Sequence, residues 1–196
     1  MKRPKIKIAI PSLIIAAALV LSGDTVPLLA VFSSAALHEL GHIAAARSLG
    51  VRFSEFSLSL LGARLNTEKK LISYRSEIIL AAAGPAVNLA VFLIFFPQNS
   101  LGGAIGEFFS YLTASSLALG FLNLLPITTF DGGRILYSLV SIAKDPETAS
   151  KLLRSLSFCC LFIMWSMSVY LLIKTGASLS LFVFSLTLFA RFFINE

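Results

Sequence analysis

The sequence predicts an all-α membrane protein: a polytopic bundle of about six transmembrane helices with a short β-ribbon on the cytoplasmic side. Three observations lead there. Of 196 residues, 57% are hydrophobic and only 13% are charged, with a mean hydropathy of +0.87; ordinary soluble domains are roughly 45–50% apolar. The apolar residues gather into runs that approach the ~20 residues needed to cross ~30 Å of hydrocarbon. The basic residues fall between those runs. A soluble fold of this length could not cover itself with so few polar groups. The net charge of +6 therefore speaks for chain orientation and for contact with the headgroups of the lipid bilayer. Nucleic acid is not expected as a partner.

Taken in order, the first apolar run covers residues 8–21, behind the basic residues Lys2, Arg3, Lys5 and Lys7. A basic start and a short apolar stretch resemble a secretory signal. There is no clean small-x-small cleavage site with a soluble domain behind it, so a retained first helix is expected. Five more spans are expected at about 26–49, 77–96, 104–125, 156–173 and 177–193. Glycines in the third and fourth, and Pro85 in the third, are tolerated in membranes where neighbours satisfy the freed backbone groups. Residues 51–76 differ: the stretch 53–60 alternates apolar and polar side chains over its second half, with the period of a half-buried strand. Gly62 suits a turn, and 63–65 with 71–74 could continue a hairpin. The edge of such a ribbon at 53–60 could accept an extended peptide.

An amino terminus inside the cell puts 15 of the 16 basic residues on the cytoplasmic side and leaves only Lys174 outside. That asymmetry is the positive-inside pattern, with both termini cytoplasmic. The adjacent Cys159 and Cys160 sit in an apolar run and read as small packing residues. Phe182, Phe184, Phe189, Phe192 and Phe193 read as lipid-facing or packing material. The whole of 1–196 is expected to form one domain, with its core at about 26–135.

The strongest chemical signal is His38-Glu39-Leu40-Gly41-His42 within an apolar run. Residues four apart on a helix differ by only ~40° in direction, so both imidazoles can face one metal ion. Glu39 projects within about 100° of both, placed to act on a metal-bound water without being a ligand. Zinc lowers the pKa of that water toward ~7, and a glutamate can take its proton. Two histidines and a glutamate at membrane depth are costly unless partnered. These are the only histidines in the chain.

Catalytic zinc takes three protein ligands and keeps one position open. With no histidine left, an acid must be the third. Asp24 and Glu107 lie toward the outer face, while Glu55, Glu68, Glu77, Asp145, Glu147 and Glu196 lie at or beyond the inner boundary. His38 and His42 lie 11 and 7 residues before the inner end of their span, roughly 10–16 Å deep. Asp131 is the acid that could reach that level. It follows Asn123-Leu124-Leu125-Pro126, where proline breaks the helix, and precedes Gly132-Gly133. A solvated aspartate at a simple helix end remains the alternative.

His38-Glu39-x-x-His42, Gly84-Pro85-x-x-Asn88 and Asn123-x-x-Pro126-x-x-x-x-Asp131-Gly132, in that order, resemble the motifs of the site-2 protease family of intramembrane zinc metalloproteases. The resemblance spans essentially the whole chain. It is nearest to the branch containing the sporulation stage IV pro-sigma-factor processing peptidase. It implies one zinc ion held by His38, His42 and Asp131, with Glu39 as catalytic base and Asn88 and Asn123 holding the substrate strand. It implies hydrolysis of membrane-embedded or membrane-associated protein substrates in a bacterial cell membrane, and leaves room for membrane-bound regulatory proteins. The chain departs from the family in having Phe130 where a leucine commonly precedes the aspartate. No PDZ or CBS domain is expected.

Read from the residues alone, three rivals stay open. A membrane-anchored metalloprotease of another type would need a glutamate ligand beside a cytosolic domain. A metal transporter could use His38, His42 and Asp131 as a transit site without needing Glu39. A catalytically dead scaffold would not need the full set.

Overall fold

Helices dominate the structure because apolar runs in a membrane must satisfy their backbone groups internally. The computed structural model describes residues 5–8, 25–51, 53–59, 62–67, 72–176 and 179–194. The chain divides into two compact units, Met1–Leu122 and Asn123–Glu196.

In the first unit, strand β1 (Lys5–Ile8) is followed by helix α1 (Thr25–Ser48) and strands β2 (Phe53–Ser59) and β3 (Gly62–Thr67). Helix α2 (Tyr74–Phe95) then runs into a 3₁₀ turn (Phe96–Ser100), and α3 (Gly103–Asn123) ends at the boundary between the units. The β2–β3 pair is antiparallel, with Phe56 opposite Leu65 and Ser59 opposite Gly62. β1 pairs in parallel with β2 at residues 55–58, so the order is β1-β2-β3. This corrects one expectation. β2 is the central strand, and its edge at 55–58 already belongs to β1 rather than standing open to a peptide.

The ends of α2 follow local chemistry. Ser73 caps the amino end by accepting from the Ser76 N–H at 3.2 Å. At the other end Asn99 and Thr113 hydrogen-bond side chain to side chain at 3.2 Å, tying the 3₁₀ turn to α3. Ala30 of α1, Val91 of α2 and Leu112 of α3 form a buried apolar cluster. Polar links cross the same helices: the Ser116 hydroxyl donates to that of Ser34 at 2.9 Å.

The second unit contains α4 (Asp131–Ala143), α5 (Pro146–Thr175) and α6 (Leu179–Ile194). The short α4 is an element the sequence reading did not anticipate. Its strongly two-sided pattern buries Asp131, Ser138 and Ser141 while Leu139 and Ile142 face outward. Asp145 caps α5 by accepting from the Thr148 N–H at 2.8 Å, Pro146 takes the first turn, and Gly176 closes the helix in the left-handed region at φ 66°. Proline and glycine at those ends match what each tolerates. Ser168 of α5 and Ser185 of α6 share a hydrogen bond of 2.8 Å. Phe189 and Phe192 of the aromatic stripe pack on Phe158 with ring centres 5.9 and 6.2 Å apart.

Among the described residues, four helical stretches are long and apolar enough to cross a membrane: Thr25–Ser48, Tyr74–Ser100, Gly103–Asn123 and Pro146–Thr175. The expected last span is the shorter α6. The expected first span, 8–21, begins at the end of β1 and otherwise lies outside the described residues. The side chains are sorted inside out relative to a soluble protein. Phe121, Ile163 and Ile173 are 73%, 66% and 81% exposed, whereas Ser34, Ser116, Ser157, Ser168 and Ser185 are buried. Small and hydroxylated residues between helices, with large apolar ones outside, is how helices pack in lipid. The chain is an integral membrane protein.

Candidate metal centre

His38 and His42 lie one turn apart on α1 and are both buried. Their Nε2 atoms converge to 3.1 Å, with the rings at 84° to each other. The tautomer of His42 follows from its partner. Its Nδ1 lies 2.8 Å from the Leu80 carbonyl oxygen, which can only accept, so Nδ1–H donates and Nε2 carries the lone pair. A ring fixed from behind by a backbone carbonyl is the usual support for a metal-binding histidine.

That hydrogen bond requires α1 and α2 to lie close together, and Gly41 permits it. A Cβ on Gly41 would stand 2.6 Å from the Ala83 carbonyl oxygen and 2.9 Å from Cγ2 of Val87. Pro85 removes an N–H from the same stretch of α2, the one that would otherwise reach the Ala81 carbonyl. Zinc–nitrogen bonds of ~2.0–2.1 Å at a tetrahedral angle put neighbouring nitrogens roughly 3.3 Å apart. The observed 3.1 Å suits two adjacent corners of such a site.

In the second unit, Asp131 is the first residue of α4 and is 7% exposed. It stands at a helix start, where the dipole favours a carboxylate; the sequence alternative of a solvated aspartate does not hold. Arg134, one turn on, reaches its Oδ1 at 3.3 Å. The preceding stretch 124–130 is irregular, and one side chain on α5 serves its backbone. The Ser157 hydroxyl oxygen accepts from the Thr128 N–H at 3.0 Å and lies 3.2 Å from the Pro126 carbonyl oxygen, to which its O–H donates. Gly132 and Gly133 let the stretch fold back on α4. A Cβ on either would collide with backbone carbonyls, those of Leu124 and Leu125 or that of Ile127.

Among the described residues, His38, His42 and Asp131 are the only buried histidine or carboxylate side chains. Glu39 is half-buried beside His38, and Asn123 is half-buried at the end of α3. Asn88 is fully buried on α2, its amide atoms have no hydrogen-bond partner among the described residues, and its Cβ faces Gly120 of α3. Substrate contact by Asn88 would therefore require α2 and α3 to part locally. Sequence reasoning missed two contributors. The Leu80 carbonyl has no side-chain signature, whereas Ser157 was detectable as a hydroxyl inside an apolar run.

Comparison with known proteins identifies the family. A zinc metalloprotease of Methanocaldococcus jannaschii is 32% identical over 78% of this chain and 45% of its own length. Stage IV sporulation protein FB of Bacillus subtilis is 30% identical over 80% of this chain and 55% of its own. The chain spans 26–55% of the length of the curated relatives it matches. The solved structure of a site-2 protease from Methanocaldococcus jannaschii superposes with a TM-score of 0.66, covering 96% of this chain and 90% of that one at 24% identity, and so shares the fold. The model of Peptidase family M50 matches residues 26–101 and 98–164, more than half of the sequence and both histidines and Asp131 with it. The chain belongs to Peptidase family M50.

Proposed function

We propose that the chain is an intramembrane zinc metalloprotease that hydrolyses peptide bonds of membrane-embedded or membrane-associated protein substrates. The observation that carries this is the buried imidazole pair of an H-E-x-x-H motif, its Nε2 atoms 3.1 Å apart, on a helix long enough to cross a membrane. Relatives named as zinc metalloproteases support it. His38, His42 and Asp131 would hold the metal: two imidazoles and a carboxylate are a donor set that catalytic zinc takes, with a position left open. Zinc bound there would supply Lewis acidity toward the scissile carbonyl and a lowered pKa for water.

The remaining work falls to the chain. The Leu80 carbonyl holds His42 with its lone pair forward. Glu39, half-buried beside His38, takes a proton from the attacking water and returns it to the leaving amine, a role worth ~10²–10⁴ in rate. A helical substrate must unwind first, because its own hydrogen bonds shield the carbonyl. Asn88 and Asn123 are proposed to steady the unwound strand. Six spans, a ribbon at the cytoplasmic face and both termini in the cytoplasm complete the reading. It rests on the distribution of basic residues. Cysteine labelling at Lys69 and Glu196 tests the orientation, and labelling of either from outside the cell would overturn it.

For the chemistry, zinc content is measured beside cleavage of candidate membrane substrates by the wild type and Glu39→Gln. Normal zinc with turnover lost is expected for the variant. Full turnover by Glu39→Gln would end the glutamate-base mechanism.

A further inference from the structure

Gly84 lies on α2, one turn beyond Leu80, at the place where α2 passes the two imidazoles. A Cβ built on it would stand 2.7 Å from both Nε2 and Cε1 of His38, and closer still to Nε2 of His42. Those two nitrogens are themselves 3.1 Å apart. A carbon that near to both occupies the space an ion bound to both would need. The contrast with Gly41 is informative. The Cβ of Gly41 would meet the Ala83 carbonyl and Val87, which is a helix-packing constraint. For Gly84 the nearest atoms are instead the metal-binding edges of two side chains.

We infer that Gly84 is a positioning residue whose missing side chain keeps the metal's place clear. This rests on the reading of His38 and His42 as ligands. The imidazoles are the ends of side chains; swinging aside costs His42 its bond to the Leu80 carbonyl but moves no backbone, so a methyl at position 84 leaves the metal-free fold standing and removes the converging nitrogens. Gly41→Ala presses on backbone instead, and so lowers stability whether or not metal is bound.

The test uses the full chain in detergent, stripped with a chelator and titrated with zinc against a chromophoric competitor. Thermal unfolding of the stripped protein is followed in parallel. Wild type binds one zinc per chain. Gly84→Ala binds on the order of 100-fold more weakly or worse, at the upper end for a disturbed ligand support. Its metal-free melting temperature stays within a few degrees of wild type, and cobalt loaded in place of zinc loses the visible bands of a tetrahedral site. Zinc affinity within threefold of wild type in Gly84→Ala overturns the inference and leaves the function standing. A wild type that takes up no zinc brings down the function itself. If Gly84→Ala fails to fold, the same change is made in the His38→Ala/His42→Ala background. Folding there shows that the methyl meets the imidazoles. Failure there shows that it meets backbone, and the inference falls.

Discussion

The two histidines and the aspartate are placed by opposite means. His38 and His42 ride on an unbroken helix. Their convergence follows from a spacing of four residues, and a backbone carbonyl on the next helix fixes the ring of His42. Asp131 follows a stretch in which the helix has stopped. Its position depends on where residues 124–130 run; turn bonds within the stretch shape that path, and one hydroxyl on α5, Ser157, ties it from outside. Regular structure places a group through periodicity; irregular structure must be held by a partner from elsewhere in the chain. In lipid the second way is demanding, because no water waits to satisfy a loosened N–H or carbonyl.

The largest expected effect would break the comparison outright. His42→Ala and Asp131→Ala each remove one of three proposed ligands, so both should reduce zinc to trace levels by elemental analysis. If Asp131→Ala kept full zinc and full cleavage, the irregular stretch would have no part in the site.

Ser157→Ala sharpens the comparison at intermediate size. It strips partners from the Thr128 N–H and the Pro126 carbonyl. These groups are only part-buried, so about 0.5–1.5 kcal/mol of stability should go for each hydrogen bond lost. Zinc affinity should fall with it, although Ser157 touches no ligand. Zinc titration and thermal unfolding in one detergent check both; unchanged values in the two assays would mean that 124–130 holds itself.

The smallest effect concerns the start of α5. Hydrogen bonds from the Thr148 backbone and side chain hold the exposed Asp145 carboxyl below its ordinary value of 3.8. A depressed folded pKa contributes stability that is present above the ordinary value and is lost as pH falls through the folded one. Asp145→Ala should therefore lower the melting temperature slightly at pH 7, with the gap to wild type closing in strong acid. A gap that stayed constant into strong acid would show that the charge on Asp145 plays no part.

Much of this was legible in the sequence, for physical reasons that differ by region. The four long helices announce themselves by apolar length, and the imidazole pair by the 3.6-residue period. The helix α4 did not, because thirteen residues with a polar side resemble a loop between spans. Nor could the alternation at 53–60 reveal that β1 lies against it. Period counts which face a side chain takes, not which strand pairs on either edge.

The thirty residues of α5 measure about 45 Å at ~1.5 Å each, against ~30 Å of hydrocarbon. The surplus need not be taken up as tilt. Glu147, Lys151 and Arg154 make the first turns a water-facing overhang, leaving residues 155–175 at about 31 Å, a near match to the membrane. Tyr170 and Lys174, hydrogen-bonded at 3.1 Å, form the anchor at the far end. Ser157 then sits within one helical turn of the near headgroups, and so do the backbone groups of Pro126 and Thr128 that it binds. The broken stretch of chain ahead of Asp131 thus lies near an end of this helix rather than at its middle, where a loosened N–H or carbonyl would be costliest.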